Sequence, residues 1–282
     1  NGLGTSFMQR MLNLKLPSIM LNTQYRMHPN LSELPSLLFY GNKLINGVTE
    51  KERNLSKMKN AFKWPNKDYP TFFYHIFGDE TISNNTFSRC NEKEAYAVIE
   101  IIKKLVKNKI KSEQIGIITP YFGQKLLLIS ILNTMNIEVE VGTVDSFQGR
   151  EKDIIILSNV RSNLKSYIGF LDNSKRMNVS ITRAKYGLII VGNSITLGYA
   201  QRKQTKWYDL IKFYNEKGLI VTGKINNLKK FDALEVMNKK DEMIKKLEKQ
   251  NSLNLNSIND KNDKIFSKTI EEQISEIKCG LE

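Results

Sequence analysis

The chain has 282 residues, 40% hydrophobic and 26% charged, with a formal net charge of +14. That balance supports a folded core and favours a polyanionic partner such as RNA, DNA or a nucleotide, although a Lys- and Asn-rich background accounts for part of the charge. No long uncharged apolar run is present, which argues against a membrane span, and no secretory signal is visible. Cys90 and Cys279 lie far apart and two histidines are too few for a zinc site, so no metal ligands are expected and a reducing compartment is. An opening Asn1 in place of methionine suggests an excised segment.

In chain order, the pattern predicts a helix end over 4–14, a short strand at Ser18–Leu21 and a polar loop, NTQYRMHP, over Asn22–Pro29. Pro29 then opens a helix carrying Leu31, Leu34, Leu38 and Phe39. Residues 41–69 read as irregular, Pro70–Phe77 as an aromatic strand, and 78–90 as a polar loop. Asn91 reads as an N-cap with Glu94 as its capping-box partner, followed by the apolar stripe Ala95, Val98, Ile99, Ile102, Leu105 and Val106. A strand at Ile115–Thr119, a turn at Pro120 and Gly123, and a helix over Gln124–Met135 come next. Strands are predicted at 138–144, 153–160, 187–192 and 219–222, with helices over 174–184 and 204–216. Strands alternating with helices imply a parallel sheet covered on both faces. From about residue 226 the composition becomes basic. We therefore expect a sheet domain over 1–225 and a partly helical, partly disordered tail over 226–282, whose removal from 231 onward should leave the domain folded.

Three polar clusters interrupt this pattern. The first, between strands, holds Thr143, Asp145, Ser146, Gln148, Gly149, Arg150 and Glu151. In open α/β sheets ligands sit at the carboxyl ends of strands, which is where this cluster is expected. A capped turn with Gly149 at positive φ explains any single member equally well. The second is KRMNVSITRAK over 175–185, with Arg176 and Arg183 seven residues apart; a solvated basic helix is the plain alternative. The third is Gln24-Tyr25-Arg26 after a strand, where Tyr25 could pack or stack on a base. Arg26, Arg183 and Glu151 are the equipment for stabilising charge on a transferred γ-phosphoryl group. No G-x-x-x-x-G-K-[ST] loop occurs and no apolar strand ends in Asp-Glu, so the chain supplies half of a nucleotide site.

LNTQYRMHPNLSELPSLLFY, IGIITPYFGQ, VGTVDSFQGREKDIIILSNVR and IGFLDNSKRMNVSITRAKYGLIIVGN resemble, in order, the late motifs of superfamily 1 RNA/DNA helicases. FKWPNKDYPTFFY and GKINNLKK extend the likeness toward the branch acting in nonsense-mediated mRNA decay, and it covers roughly Gly2 to Lys230. The resemblance implies a second RecA-like domain of P-loop NTPase fold without a Walker A loop. ATP with Mg2+ would lie between it and a first RecA-like domain that supplies the metal ligands. By resemblance Tyr25 stacks on adenine, Arg26 reaches the γ-phosphate, Gly149 and Glu151 contact the nucleotide, and Arg183 is an arginine finger. Thr119, Pro120, Tyr121, Thr143, Ser146 and Arg161 would meet single-stranded RNA or DNA. Decay or surveillance factors as partners and a cytoplasmic or nuclear location follow from the same likeness. These residues alone should not hydrolyse ATP. A DNA-acting relative and a non-catalytic nucleic-acid-binding module remain the alternatives.

Overall fold

The computed structural model describes residues 5–54, 63–83 and 86–253. A seven-stranded sheet runs through the molecule in the order β11-β10-β3-β9-β8-β6-β7. Its strands are β3 (Thr71–His75), β6 (Ile115–Ile118), β7 (Glu140–Gly142), β8 (Lys152–Ser158), β9 (Ala184–Gly192), β10 (Ile220–Lys224) and β11 (Asn227–Lys230). All neighbours pair in parallel except β10 with β11, which form a hairpin at one edge.

The short apolar runs form strands because both faces are covered, which leaves no polar position to alternate. In β8, Ile155 and Leu157 enter one core while Ile154 and Ile156 enter the other. Leu188 and Ile190 of β9 face the first core, and Ile189 and Val191 the second. The first core is covered by α2 (Pro29–Phe39), α5 (Ser174–Ile181), α7 (Lys206–Glu216) and α8 (Ala233–Leu253), joined by the short α6 (Ser194–Gly198). The second is covered by α3 (Glu92–Lys107) and α4 (Phe122–Thr134). The fold is thus the expected parallel α/β sheet with helices on both faces.

Several boundaries differ. No strand forms at Ser18–Leu21, where Ile19 and Leu21 are almost fully exposed after the short α1 (Phe7–Asn13). An apolar run becomes a strand only where another strand pairs with it. Here the polar β1 (Thr23–Gln24) finds that partner in β2 (Ile45–Asn46), inside a stretch expected to be irregular. The expected 78–90 loop contains β4 (Thr81–Ile82) and β5 (Arg89–Cys90), paired antiparallel. Asn91 does cap α3, its side chain accepting from the Glu94 N–H at 3.1 Å. Glu94 does not reciprocate. It is fully buried and accepts from the Val160 N–H (2.8 Å) and the Ser158 hydroxyl (2.9 Å).

The boundary expected at 225/226 falls in the turn of the β10–β11 hairpin. Beyond it, Phe231, Ala233 and Met237 are buried in the first core, and the Phe231 ring stacks on His75 with centroids 4.0 Å apart. Residues from 231 onward therefore contribute buried side chains to the first core, and the expectation that their removal leaves the sheet domain folded has to be met without them. Of the low-complexity stretch 251–264, expected to be mobile, residues 251–253 end α8, and the rest, like Cys279, lies outside the described residues. Among the described residues no helix is long and apolar enough to cross a membrane, and no group of three or more His, Cys, Asp or Glu could hold a metal ion.

Candidate nucleotide cleft and nucleic-acid face

Chain direction in a parallel sheet divides the polar residues between two ends. Glu151 immediately precedes β8, and Arg183 immediately precedes β9, so both sit at the amino ends of their strands. Thr119–Tyr121, Thr143 and Arg161 follow β6, β7 and β8 and sit at the carboxyl ends. The segment 143–151, expected as one cluster at the carboxyl ends, instead runs from one end of the sheet to the other. β7 and β8 both run parallel to β6, which lies between them, so their connection has to cross.

At the amino ends, Tyr25, Arg26, Arg53, Glu151, Arg183 and Lys185 line a cleft of about 510 Å³. The His28 N–H donates to the Lys185 carbonyl at 2.8 Å, which ties the turn after β1 to the start of β9. Arg26 Nε lies 2.5 Å from Glu151 Oε2, and Lys185 Nζ lies 3.0 Å from Glu151 Oε1. Hydrogen bonds from Arg26, then from Lys185, hold the Glu151 carboxyl below the usual carboxylate range. Arg26 Nη1 also donates to the Thr182 carbonyl at 3.2 Å. Arg183 donates through Nε to the Val179 carbonyl (3.0 Å) and through Nη2 to the Thr182 hydroxyl (2.9 Å). Burial, and then the Arg26 charge, lower the pKa of Arg183. Four cations therefore surround one carboxylate in the described lining, so the cleft is built for an anion. Tyr25 is two-thirds exposed above it. Gly149 turns the backbone at φ +81° but lies outside this lining, and a Cβ added there would meet nothing within 4 Å.

Arg53 was not anticipated. It sits in the stretch read as irregular, and its Nε and Nη2 donate to the carbonyls of Arg26 and Tyr25, each at 2.8 Å. An isolated arginine in a polar segment carries no signal of its own. Arg176 takes no part in the cleft; it pairs with Asp145 at 3.0 Å.

At the carboxyl ends, a second cleft of about 520 Å³ is lined by Arg89, Tyr121, Arg161, Lys165, Tyr167 and Phe170, among others. Arg161 is buried rather than presented. Its Nε donates to Glu80 at 2.8 Å, its Nη1 reaches the Tyr121 hydroxyl at 3.4 Å, and its guanidinium stacks 5.1 Å from the Tyr167 ring centroid. Glu80 also accepts from Arg89 and from the Ser162 N–H. Thr119 is buried, its N–H donating to the Gly142 carbonyl, and Pro120 is half-buried beside it. Thr143 and Ser146 bond each other in a local turn, outside the lining of this cleft. Tyr167 and Phe170, each 67% exposed, flank the opening. Their sequence signal is two aromatics beside Lys165 in a predicted loop.

Gly218–Lys224 has the spacing G-x-x-x-x-G-K, but Ile225 stands where a phosphate loop needs Ser or Thr, and the segment ends in strand β10. The geometry defines a mostly parallel α/β sheet, covered by helices on both faces, with a cationic cleft at the amino ends of β8 and β9. The family model described as "AAA domain" matches residues 3–195, and the chain belongs to that family. It is 45% identical over 235 residues to the regulator of nonsense transcripts 1 homolog of Drosophila melanogaster, covering 81% of this chain and 19% of that protein. It is 44% identical over 234 residues to the ATP-dependent helicase NAM7 of Saccharomyces cerevisiae, covering 80% and 24%. The ATP-dependent helicase upf1 of Schizosaccharomyces pombe is 42% identical over 236 residues, covering 81% and 25%. The chain thus spans about a fifth to a quarter of the curated relatives it matches.

Proposed function

We propose that this chain is the second RecA-like half of an ATP-dependent RNA helicase of nonsense-mediated mRNA decay, working in the cytoplasm or nucleus. The observation that carries the reading is the convergence of Arg26, Arg53, Arg183 and Lys185 on one cleft against the single carboxylate of Glu151. That donor set fits a nucleotide triphosphate. The phosphate loop and the magnesium-binding acid belong to a first RecA-like domain elsewhere on the full-length protein, facing this cleft. When bound there, ATP would supply a phosphoanhydride; its binding favours closure of the two domains and its hydrolysis releases them.

The residues of this chain bind and orient. Tyr25 offers an exposed ring to the base. Arg26, fixed at one side by Glu151, and Arg183, fixed by the Val179 carbonyl, present guanidinium donors to phosphate oxygens. Glu151 stays ionised and orients Arg26. Arg183, half-buried and anchored to the Val179 carbonyl and the Thr182 hydroxyl, is the arginine finger. At the other end of the sheet, Tyr167 and Phe170 at the mouth of the cleft, backed by the buried Tyr121 and Arg161, receive a single RNA strand, with surveillance factors as further partners. Backbone contacts make that grip salt-sensitive and largely independent of sequence.

RNA-stimulated ATP hydrolysis by the full-length protein tests the reading. Wild type is expected to turn over with RNA and Arg183→Ala to lose turnover while still binding ATP. Wild type inactive with every nucleic acid would favour the non-catalytic binding module; stimulation by DNA alone would favour a DNA-acting relative.

A further inference from the structure

The ring of Tyr25 has an unusual bed. Gly47 follows β2, and its N–H donates to the Gln24 carbonyl at 2.8 Å, extending the pairing of β1 with β2 by one step. A Cβ at residue 47 would stand 2.2 Å from Tyr25 Cε1 and 2.5 Å from Cδ1. The ring therefore lies on bare backbone. Gly47 is not in the left-handed region, so the chain conformation does not demand glycine there; the ring does.

The backbone under the ring is held on both sides. Gln24 Oε1 accepts the N–H groups of Arg26 (3.0 Å) and Met27 (2.8 Å). Arg53 takes the carbonyls of Tyr25 and Arg26 with the two arms of its guanidinium, which also lies 5.6 Å from the Tyr186 ring centroid. With the backbone fixed, side-chain rotation is the freedom left to Tyr25, and contact with Gly47 limits it. We infer that Gly47 and Arg53 are positioning residues that set the plane of the Tyr25 ring and thereby the preference of the cleft for a purine base. The inference rests on the nucleotide reading above. A larger purine gains more from a fixed aromatic face than a pyrimidine does.

The test is nucleic-acid-stimulated hydrolysis of ATP and CTP by the full-length protein. Gly47→Val should raise the KM for ATP about tenfold, a size within the range of one base–aromatic stack, with kcat changed less than about twofold because Arg26 and Arg183 stay in place. CTP should lose less than about threefold in kcat/KM. Arg53→Lys, which keeps the charge but not the fork, should raise the ATP KM less. Adding Gly47→Val to Tyr25→Ala should cost nothing beyond Tyr25→Ala alone, since both act through one ring. The smaller Gly47→Ala serves if the valine variant does not fold. An unchanged ATP KM, equal losses for ATP and CTP, or additive effects with Tyr25→Ala would each overturn the inference while leaving the nucleotide reading standing. A wild type without turnover sinks both.

Discussion

The two clefts are similar in size and opposite in construction. The amino-end cleft, about 510 Å³, is ringed by guanidinium and ammonium groups held by a half-exposed carboxylate and by backbone carbonyls. The carboxyl-end cleft, about 520 Å³, buries its main arginine against Glu80 and leaves aromatic rings at its mouth. One is equipped for concentrated negative charge and the other for flat, apolar faces beside a basic rim. The sheet separates them; strands β8 and β9, the segment 159–183 with α5, and the segment 143–151 connect the two ends. That segment links Thr143 at one end directly to Glu151 at the other.

The comparison predicts its largest effect at the amino end. Arg183→Ala in the full-length protein should lower RNA-stimulated turnover by roughly 10³-fold or more, the scale of a lost arginine finger, while single-strand affinity changes little. A mutant that loses RNA binding in parallel would dissolve the distinction between the clefts. The next effect is on stability. Phe231→Ala removes a buried ring stacked on His75 and should cost about 3–5 kcal/mol, read as a drop in the melting temperature of this chain. An unchanged melting temperature would support the expectation that everything after 230 is dispensable. At the carboxyl end, Phe170→Ala and Tyr167→Ala should each weaken single-stranded RNA binding about tenfold, as loss of one base stack does, and spare ATP affinity. Titration at two salt concentrations would check this: a stacking loss leaves the salt slope unchanged, whereas a lost phosphate contact reduces it.

How far the sequence reaches is seen in particular residues. Ile154–Leu157 and Leu188–Val191 were legible as doubly buried strands because no polar residue interrupts them. Asn91 was legible as a cap because the signal is local. β1 was not, because Thr23 and Gln24 become a strand only through Ile45 and Asn46, more than twenty residues away. β11 was missed because an edge strand of Asn, Leu and two lysines has no apolar run. Glu151, which its cluster places at the carboxyl ends, stands instead at the amino end of β8. That end was readable: Glu151 and Arg183 stand before their strands, Thr119 and Arg161 after theirs. Arg53 and Gly47 were beyond reach, since their roles depend on where a distant tyrosine ring lies.

The smallest expected effect concerns Glu94, which belongs to neither cleft but braces the carboxyl-end one. Its carboxyl oxygen Oε2 accepts from the N–H of Val160, a β-branched residue at φ +71°, one residue before Arg161. That backbone conformation is costly and needs such a fixed partner. Burial pushes the Glu94 carboxyl up to about 8 from the usual carboxylate value. The acid is therefore neutral in the folded chain over most of the physiological range but ionised in the unfolded chain above about pH 4.5. Between those values the folded state binds the extra proton, so this group's contribution to stability is fully present in acid and declines as pH rises toward 8. The melting temperature of the wild-type chain should carry a downward component from pH 5 to pH 8. Glu94→Gln keeps the acceptor and the shape without the ionisation. It should remove that component and melt higher than wild type at pH 8, with little difference at pH 5. Parallel melting curves for the two proteins would show that Glu94 is ionised when folded, and that the turn before Arg161 is held by a charge rather than by a neutral acid.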